Sequence, residues 1–176
     1  MRAKAPSDGK RLASGCQRAV NRPIFLAPAG NSPDETIRRL EAAGAAPATD
    51  ADARLVRIEN GKPRYGEDIR ENTLPQETRQ MHAISFTKGC YLGQEIVERI
   101  RAQGHVNRLL ARLELETADP PAPGTKLMAD AAEAGEITSS VYSPEAGKAI
   151  VLAYLRTPFA EPGRTLTANG VPARVA

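Results

Sequence analysis

Lys88-Gly89-Cys90-Tyr91-Leu92-Gly93-Gln94-Glu95 sets a thiol between two glycines, with a lysine two residues before it. Downstream, Leu92, Ile96 and Ile100 recur at i, i+4 and i+8, with Glu95, Glu98, Arg99 and Arg101 between them. That spacing predicts an amphipathic helix over 92–103. Cys90 then stands at the helix start, where unpaired amide donors and the positive dipole end favour a thiolate, and Lys88 adds to the effect. Free cysteine is also a common small core residue, so local chemistry leaves a reactive and a buried thiol both open. Gly89 and Gly93 point to a sharp turn or a close approach of backbone to something else.

Upstream, Ser32-Pro33-Asp34-Glu35 reads as a capping box with proline in the first helical position, and Ile37, Leu40 and Ala43 form the apolar stripe before Gly44 stops the helix. A second short helix is expected from Thr49 or Asp50 to about Asn60, with Leu55 and Ile58 inward and Gly61-Lys62-Pro63 as its stop. Arg57 and Glu59 fall at its end, and on local grounds they read as a solvated charge pair. Ile24-Phe25-Leu26-Ala27 reads as a short buried strand. Between Asp68 and Thr87 the apolar spacing is irregular and Asn72-Thr73-Leu74-Pro75 breaks a helix, so loop is expected. His82 and His105 flank the thiol in sequence, but no third orienting group can be named for a Cys/His pair.

Beyond Val106 the period changes from helical to alternating. Leu109, Ala111, Leu113 and Leu115 predict a half-buried strand, and Asp119 to Gly124 is too proline-rich for helix or central strand. Short strands follow at Lys126–Met128, Glu136–Ser143 (Ile137 and Val141 on one face) and Ala149–Leu155. Asn169-Gly170 then predicts a tight hairpin between 165–168 and 171–175, with Pro172 marking an edge. Such spacing is that of a small barrel or sandwich.

Composition narrows the function. No apolar run approaches membrane-span length, and no secretory signal has the required apolar middle. The chain has two cysteines, Cys16 and Cys90, too few for a disulfide framework or an all-thiolate metal site within one chain. A reducing compartment is therefore expected. In residues 1–23 six basic residues face Asp8 alone, which exceeds the whole chain's net charge of +3 and leaves the rest slightly acidic. The high pI is thus a property of a basic tail expected to be disordered, and no nucleic-acid-binding face is implied for the body. An arginine-rich, acid-poor start is also a feature of mitochondrial leaders, but no amphipathic stripe accompanies it. The cytoplasm is the expected location, with the mitochondrial matrix as the alternative. There is no glycine-rich nucleotide loop and no tryptophan, and aromatics are only 4%, so a base-stacking platform is not expected.

The run from Lys88 to Glu95 resembles the signature of the YgfZ-type folate-binding, iron–sulfur-maturation proteins, a branch of the glycine-cleavage T-protein (aminomethyltransferase) superfamily. The resemblance extends upstream through Leu55 to Gly61 and Pro63 to Ile69, similar to the superfamily's R-x-E-x-G…Y-G-x-D segment. It extends downstream through Gly135 to Ser140 and the strand ending at Arg156. It implies an α+β fold: a partial folate-binding-type α/β region over 24–105, then a small C-terminal antiparallel β-barrel over 106–176. The family's preceding region, which the resemblance implies would form most of a folate pocket, is not matched by the residues before Ile24, as expected of a fragment, a misplaced start or a reduced variant.

The implied function is that of a folate-linked accessory protein for assembly or repair of iron–sulfur clusters in client enzymes, including tRNA-modifying ones. Cys90 and Lys88 would be its reactive pair, and Cys90 a transient cluster ligand with no stably bound metal. Implied partners are iron–sulfur clients or assembly proteins, with the chain itself a monomer. The alternatives are a folate-dependent aminomethyltransferase-like enzyme, or a non-catalytic remnant. The T-proteins typically carry an acidic residue where Cys90 stands, which counts against the enzyme. For tetrahydrofolate the resemblance implies Arg57, with Glu59, Tyr65, Gly89, Tyr91, Gly93, Gln94 and Glu95 as further contacts. Binding by this chain is expected to be weak, because too few walls are present to bury the ring system.

Overall fold

The computed structural model describes residues 32–176, so the basic tail, Cys16 and the expected strand Ile24–Ala27 lie outside the described residues. The chain divides into two compact units, with the boundary between Val56 and Arg57.

In the first unit, α1 (Pro33–Ala42) begins as its sequence dictates. The Ser32 side chain accepts from the Glu35 backbone N–H at 3.2 Å, and Pro33 occupies the first turn. Its expected apolar stripe is not covered: no residue of α1 is buried and Ile37 is 51% exposed. The next helix, α2 (Asp50–Glu59), starts on a reciprocal cap, with Asp52 accepting from the Thr49 backbone N–H (2.8 Å) and hydroxyl (2.7 Å). These bonds hold the Asp52 carboxyl below its usual range. It ends at Gly61, whose φ of 64° is left-handed.

The second unit is built on a closed antiparallel barrel of six strands, and the fold is α+β. The strands are β1 (Arg108–Leu115), β2 (Lys126–Ala129), β3 (Ala132–Ser143), β4 (Lys148–Arg156), β5 (Thr165–Ala168) and β6 (Val171–Val175), in spatial order β1-β4-β3-β2-β5-β6. Alternate positions from all six strands, among them Leu113, Leu127, Ile137, Val151, Leu166 and Val175, form one continuous buried core. This is the inward face that period-2 alternation requires. β4 is buried on both faces: Ile150, Leu152 and Tyr154 point the other way and pack with Leu110 and with Ile58 of α2. Fully burying a side chain the size of Ile58 contributes about 1.5–3 kcal/mol.

Two details depart from the sequence pattern. Ile137 and Val141 share a face by simple alternation, but a bulge between Ile137 and Ser139 shifts the register. Ile137 consequently enters the barrel core, while Val141 packs against the Ile58 cluster. Pro172 marks no edge, because β6 pairs with β5 on one side and β1 on the other. It is tolerated one residue beyond the last β1–β6 pair, Leu115 with Ala173, where its carbonyl accepts from the Glu116 N–H. The Asn169-Gly170 hairpin forms as expected, with φ of 50° and 82°, the doubly left-handed geometry of a tight two-residue turn.

The 62–87 segment is largely turns, with one short 3-10 helix at Met81–Ala83. Specific bonds tie it to what surrounds it. Glu77 O accepts from Leu110 N–H (2.7 Å), Arg79 donates to Ala160 O (3.1 Å), and Gln76 donates to Val97 O (3.2 Å) of the third helix, α3 (Gln94–Gln103).

Candidate functional site

The motif run forms a loop that leads into α3. The helix starts at Gln94, two residues later than its apolar spacing predicts, because Gly93 is its cap and holds φ at 87°. A residue with a side chain is strained there, so this glycine is required by the turn. Gly89 is different: its φ is not left-handed and a Cβ there would meet nothing within 4 Å. Cys90 therefore stands three residues ahead of the cap and not in the first turn, which weakens the dipole argument for a thiolate, since that effect fades within one turn. The thiol is exposed, which excludes the buried-core alternative. The Lys88 ammonium lies 4.4 Å from the centre of the Tyr91 ring, a cation–π contact.

Of the expected apolar stripe of α3 only Ile100 is half-buried, whereas Leu92 is fully exposed and Ile96 is 53% exposed; among the described residues of the helix it is Val97, off that stripe, that is buried, at 6% exposure. Arg101 stacks on Phe86 at 4.7 Å, joining the far end of α3 to the segment before the motif. Gln94 is half-buried and Glu95 exposed in the first turn.

Beneath this loop lies a pocket of about 440 Å³, lined mainly by apolar groups that include Pro63, Ile69, Pro75, Ile84 and Val97. Lys62, Lys88 and Tyr91 also line it. The Tyr91 hydroxyl is buried without a hydrogen-bond partner. A buried polar atom left this way costs about 1–3 kcal/mol unless a water or a ligand group satisfies it.

Arg57 and Glu59 are neither solvated nor in this pocket. Arg57 donates to Glu67 (2.6 Å), to Asp68 (2.8 Å) and to the Lys62 carbonyl (3.2 Å), with its side chain only 14% exposed. Glu59 accepts from Ser143 of β3 at 2.6 Å. Asp68, whose side chain is 0% exposed, also accepts from Arg64 N–H (3.0 Å), Ser139 (2.7 Å) and Thr138. The geometry assigns these residues to docking the 57–70 segment on the barrel, a role local charge patterning could not show because the barrel partners Thr138, Ser139 and Ser143 are remote in sequence. Tyr65 is 67% exposed on the same turn, where it bridges to Ile69.

The structure thus gathers Lys88, Tyr91 and the unforeseen Lys62 at one pocket, with Cys90 exposed on the adjoining loop, and leaves Arg57, Glu59 and Tyr65 elsewhere. His82 is exposed in the 3-10 turn. Among the described residues no group of three or more His, Cys, Asp or Glu is placed to hold a metal ion, and no helix is long and apolar enough to cross a membrane.

An α+β chain that carries a closed six-stranded barrel and a lysine-flanked apolar pocket has recognisable relatives. Residues 108–176 match the model of the glycine cleavage T-protein C-terminal barrel domain. The chain is 32% identical over 130 residues to an aminomethyltransferase of Rippkaea orientalis, covering 73% of this chain and 35% of the relative. It is 34% identical over 155 residues to an aminomethyltransferase of Rubrobacter xylanophilus, covering 86% of this chain and 41% of the relative. Its fold is similar to that in the crystal structure of glycine cleavage system aminomethyltransferase T from Bartonella henselae, with a TM-score of 0.70 at 19% identity over 80% of this chain and 41% of that one. The chain spans about a third of the length of the first of these curated relatives. These likenesses support the T-protein superfamily.

Proposed function

We propose that the pocket beneath the Lys88–Gln94 loop is a folate site, and that the chain serves a folate-dependent, aminomethyltransferase-like transfer together with walls supplied from outside residues 57–176. The observation that carries this is the pocket itself: apolar surface large enough to cover a ring system, the unpartnered Tyr91 hydroxyl, and two lysines. Folate is chemically matched to that set, because it joins flat heteroaromatic and aromatic rings to a tail of carboxylates. Pro63, Ile69, Ile84 and Val97 would cover ring surface, Tyr91 would hydrogen-bond a ring or amide group, and Lys62 and Lys88 would neutralise carboxylate. When bound, tetrahydrofolate supplies the nitrogen atoms that carry a one-carbon unit. Affinity in this chain alone is expected in the millimolar range, since one or two charge-assisted contacts of roughly 1.5–3 kcal/mol each barely offset the cost of association.

Calorimetry with 5-formyltetrahydrofolate tests it. Lys88→Ala and Tyr91→Phe should each weaken binding several-fold, and Arg57→Met should act only through stability. Binding that ignores both pocket substitutions rejects the site.

A second reading, an accessory role in iron–sulfur assembly of the YgfZ type, is favoured by one observation: the motif thiol is exposed on the rim-forming loop, with a lysine two residues away. A single thiolate can only share a cluster. Under this reading Cys90→Ser abolishes support of a cluster-dependent client while folate affinity is unchanged; under the first, the client is indifferent to Cys90.

A further inference from the structure

A second cavity, of about 200 Å³, lies between the 67–73 turn and the outer face of the barrel, with Arg70, Asn72, Thr73, Arg108, Thr138 and Tyr154 among its lining residues. At about 30 Å³ per water, that is room for roughly six or seven waters or one small organic molecule. Tyr154 is only 8% exposed and its hydroxyl has no hydrogen-bond partner. Burial pushes the phenol above its ordinary range, and the nearby Thr73 hydroxyl and Arg108 guanidinium pull it back only in part. The Thr73 approach falls short of hydrogen-bond geometry, and the phenol, raised by burial, keeps its proton at neutral pH with nothing in the fold to receive it. Arg108 fixes the ring from above: its guanidinium is 4.7 Å from the ring centre and is itself held by Glu77 at 3.1 Å.

Charge at the cavity is decided by which groups are already committed. Glu67 and Asp68 pair with Arg57, and Glu136 pairs with Lys126 at 2.6 Å. Arg70 makes no side-chain ion pair or hydrogen bond among the described residues, its contact with Thr73 being through its backbone N–H. The lining therefore offers a buried hydroxyl donor, the Asn72 amide and one uncommitted guanidinium, while each of its carboxylates already has a cationic partner, Arg64 also reaching Glu67 and Lys126 being shared with Glu133. We propose that this cleft binds a small carboxylate, which accepts from the Tyr154 hydroxyl and pairs with Arg70, at a site separate from the pocket beneath the motif loop.

The test is a titration of the whole chain with acetate, followed by two-dimensional NMR, with methylammonium and inorganic phosphate as the other arms. Saturable acetate binding is expected. Tyr154→Phe and Arg70→Gln should each weaken it about tenfold, the equivalent of about 1.4 kcal/mol. Tyr154→Phe should not lower the melting temperature, because the lost hydroxyl bonds nothing in the fold, and this keeps a binding defect distinct from misfolding. Lys88→Ala should leave acetate binding intact, so failure of the folate site and failure of this one are separable. The proposal is overturned if acetate does not saturate, if Tyr154→Phe leaves its affinity unchanged, if Lys88→Ala abolishes it, or if phosphate or methylammonium binds in preference.

Discussion

Replacing Asp68 with alanine should be among the most damaging single changes in the chain. The carboxylate is fully buried and accepts four donors: Arg57 at 2.8 Å, the Arg64 backbone N–H at 3.0 Å, Ser139 at 2.7 Å, and Thr138. Removing one member of a buried ion pair costs about 3–5 kcal/mol, because the other charge is left uncompensated. Arg57 retains Glu67 at 2.6 Å, which places the expected loss at the low end, about 3 kcal/mol. At about 2–4 °C per kcal/mol for a chain of this size, the melting temperature should fall by roughly 6–12 °C. Urea unfolding at pH 7 gives the free energy directly. Thr138→Val, which removes one donor and leaves the carboxylate otherwise satisfied, should cost about 1 kcal/mol. Adding Arg57→Met to Asp68→Ala should cost less than the two changes summed, since the orphaned guanidinium is gone. A loss below about 1 kcal/mol for Asp68→Ala would show that the 57–70 segment is not held to the barrel by this cluster.

Other changes probe the barrel and the loop. At Gly135 of β3 a Cβ would lie 2.1 Å from the Tyr154 carbonyl oxygen, so Gly135→Ala should cost about 3 kcal/mol in the same urea assay, and a neutral result would displace the β3–β4 register. Burial raises the Glu114 carboxyl, but its bonds and charge interactions with Arg112 and Lys148 outweigh it and set the folded value below the ordinary one. The stability it contributes is therefore present above the unfolded carboxyl range and is lost as pH falls through the folded value. Glu114→Gln should flatten the acid limb of a stability–pH curve while costing only about 0.2–1 kcal/mol at pH 7; an unchanged acid limb refutes the assignment. Cys90→Ser should leave the melting temperature within error, and a thiol reagent should label Cys90 in the folded chain; protection until denaturation would contradict its exposure.

The barrel was largely legible because its signals are local. Alternation in β1, the continuous apolar run of β4 and the Asn169-Gly170 turn each specify backbone geometry within a few residues, as does the Ser32 cap of α1. What escaped depends on partners far along the chain. The bulge after Ile137 reverses the facing of Val141, and alternation cannot register an inserted residue. On local grounds Arg57 reads as a solvated charge, because Asp68, itself held by Thr138 and Ser139 of β3, is brought to it only by folding. At the motif only Gly93 holds a left-handed φ, and its turn delays the helix enough to move Cys90 out of the first turn. Leu92 and Ile96 follow helical spacing yet are exposed, because periodicity states which side of a helix is apolar and not what covers it.

The central claim, that the space beneath the motif loop receives a folate, is tested most directly by mapping where that ligand lands. Backbone NMR shifts on titrating the whole chain with 5-formyltetrahydrofolate should concentrate at Lys62, Ile69, Thr78, Ile84, Ser85, Lys88, Tyr91 and Val97, the residues around the pocket. Tyr91→Phe should move the titration to higher ligand concentration without altering which residues respond. Shifts confined to the barrel strands or to the Arg70–Tyr154 cleft, with the 84–97 region silent up to the limit of ligand solubility, would contradict it.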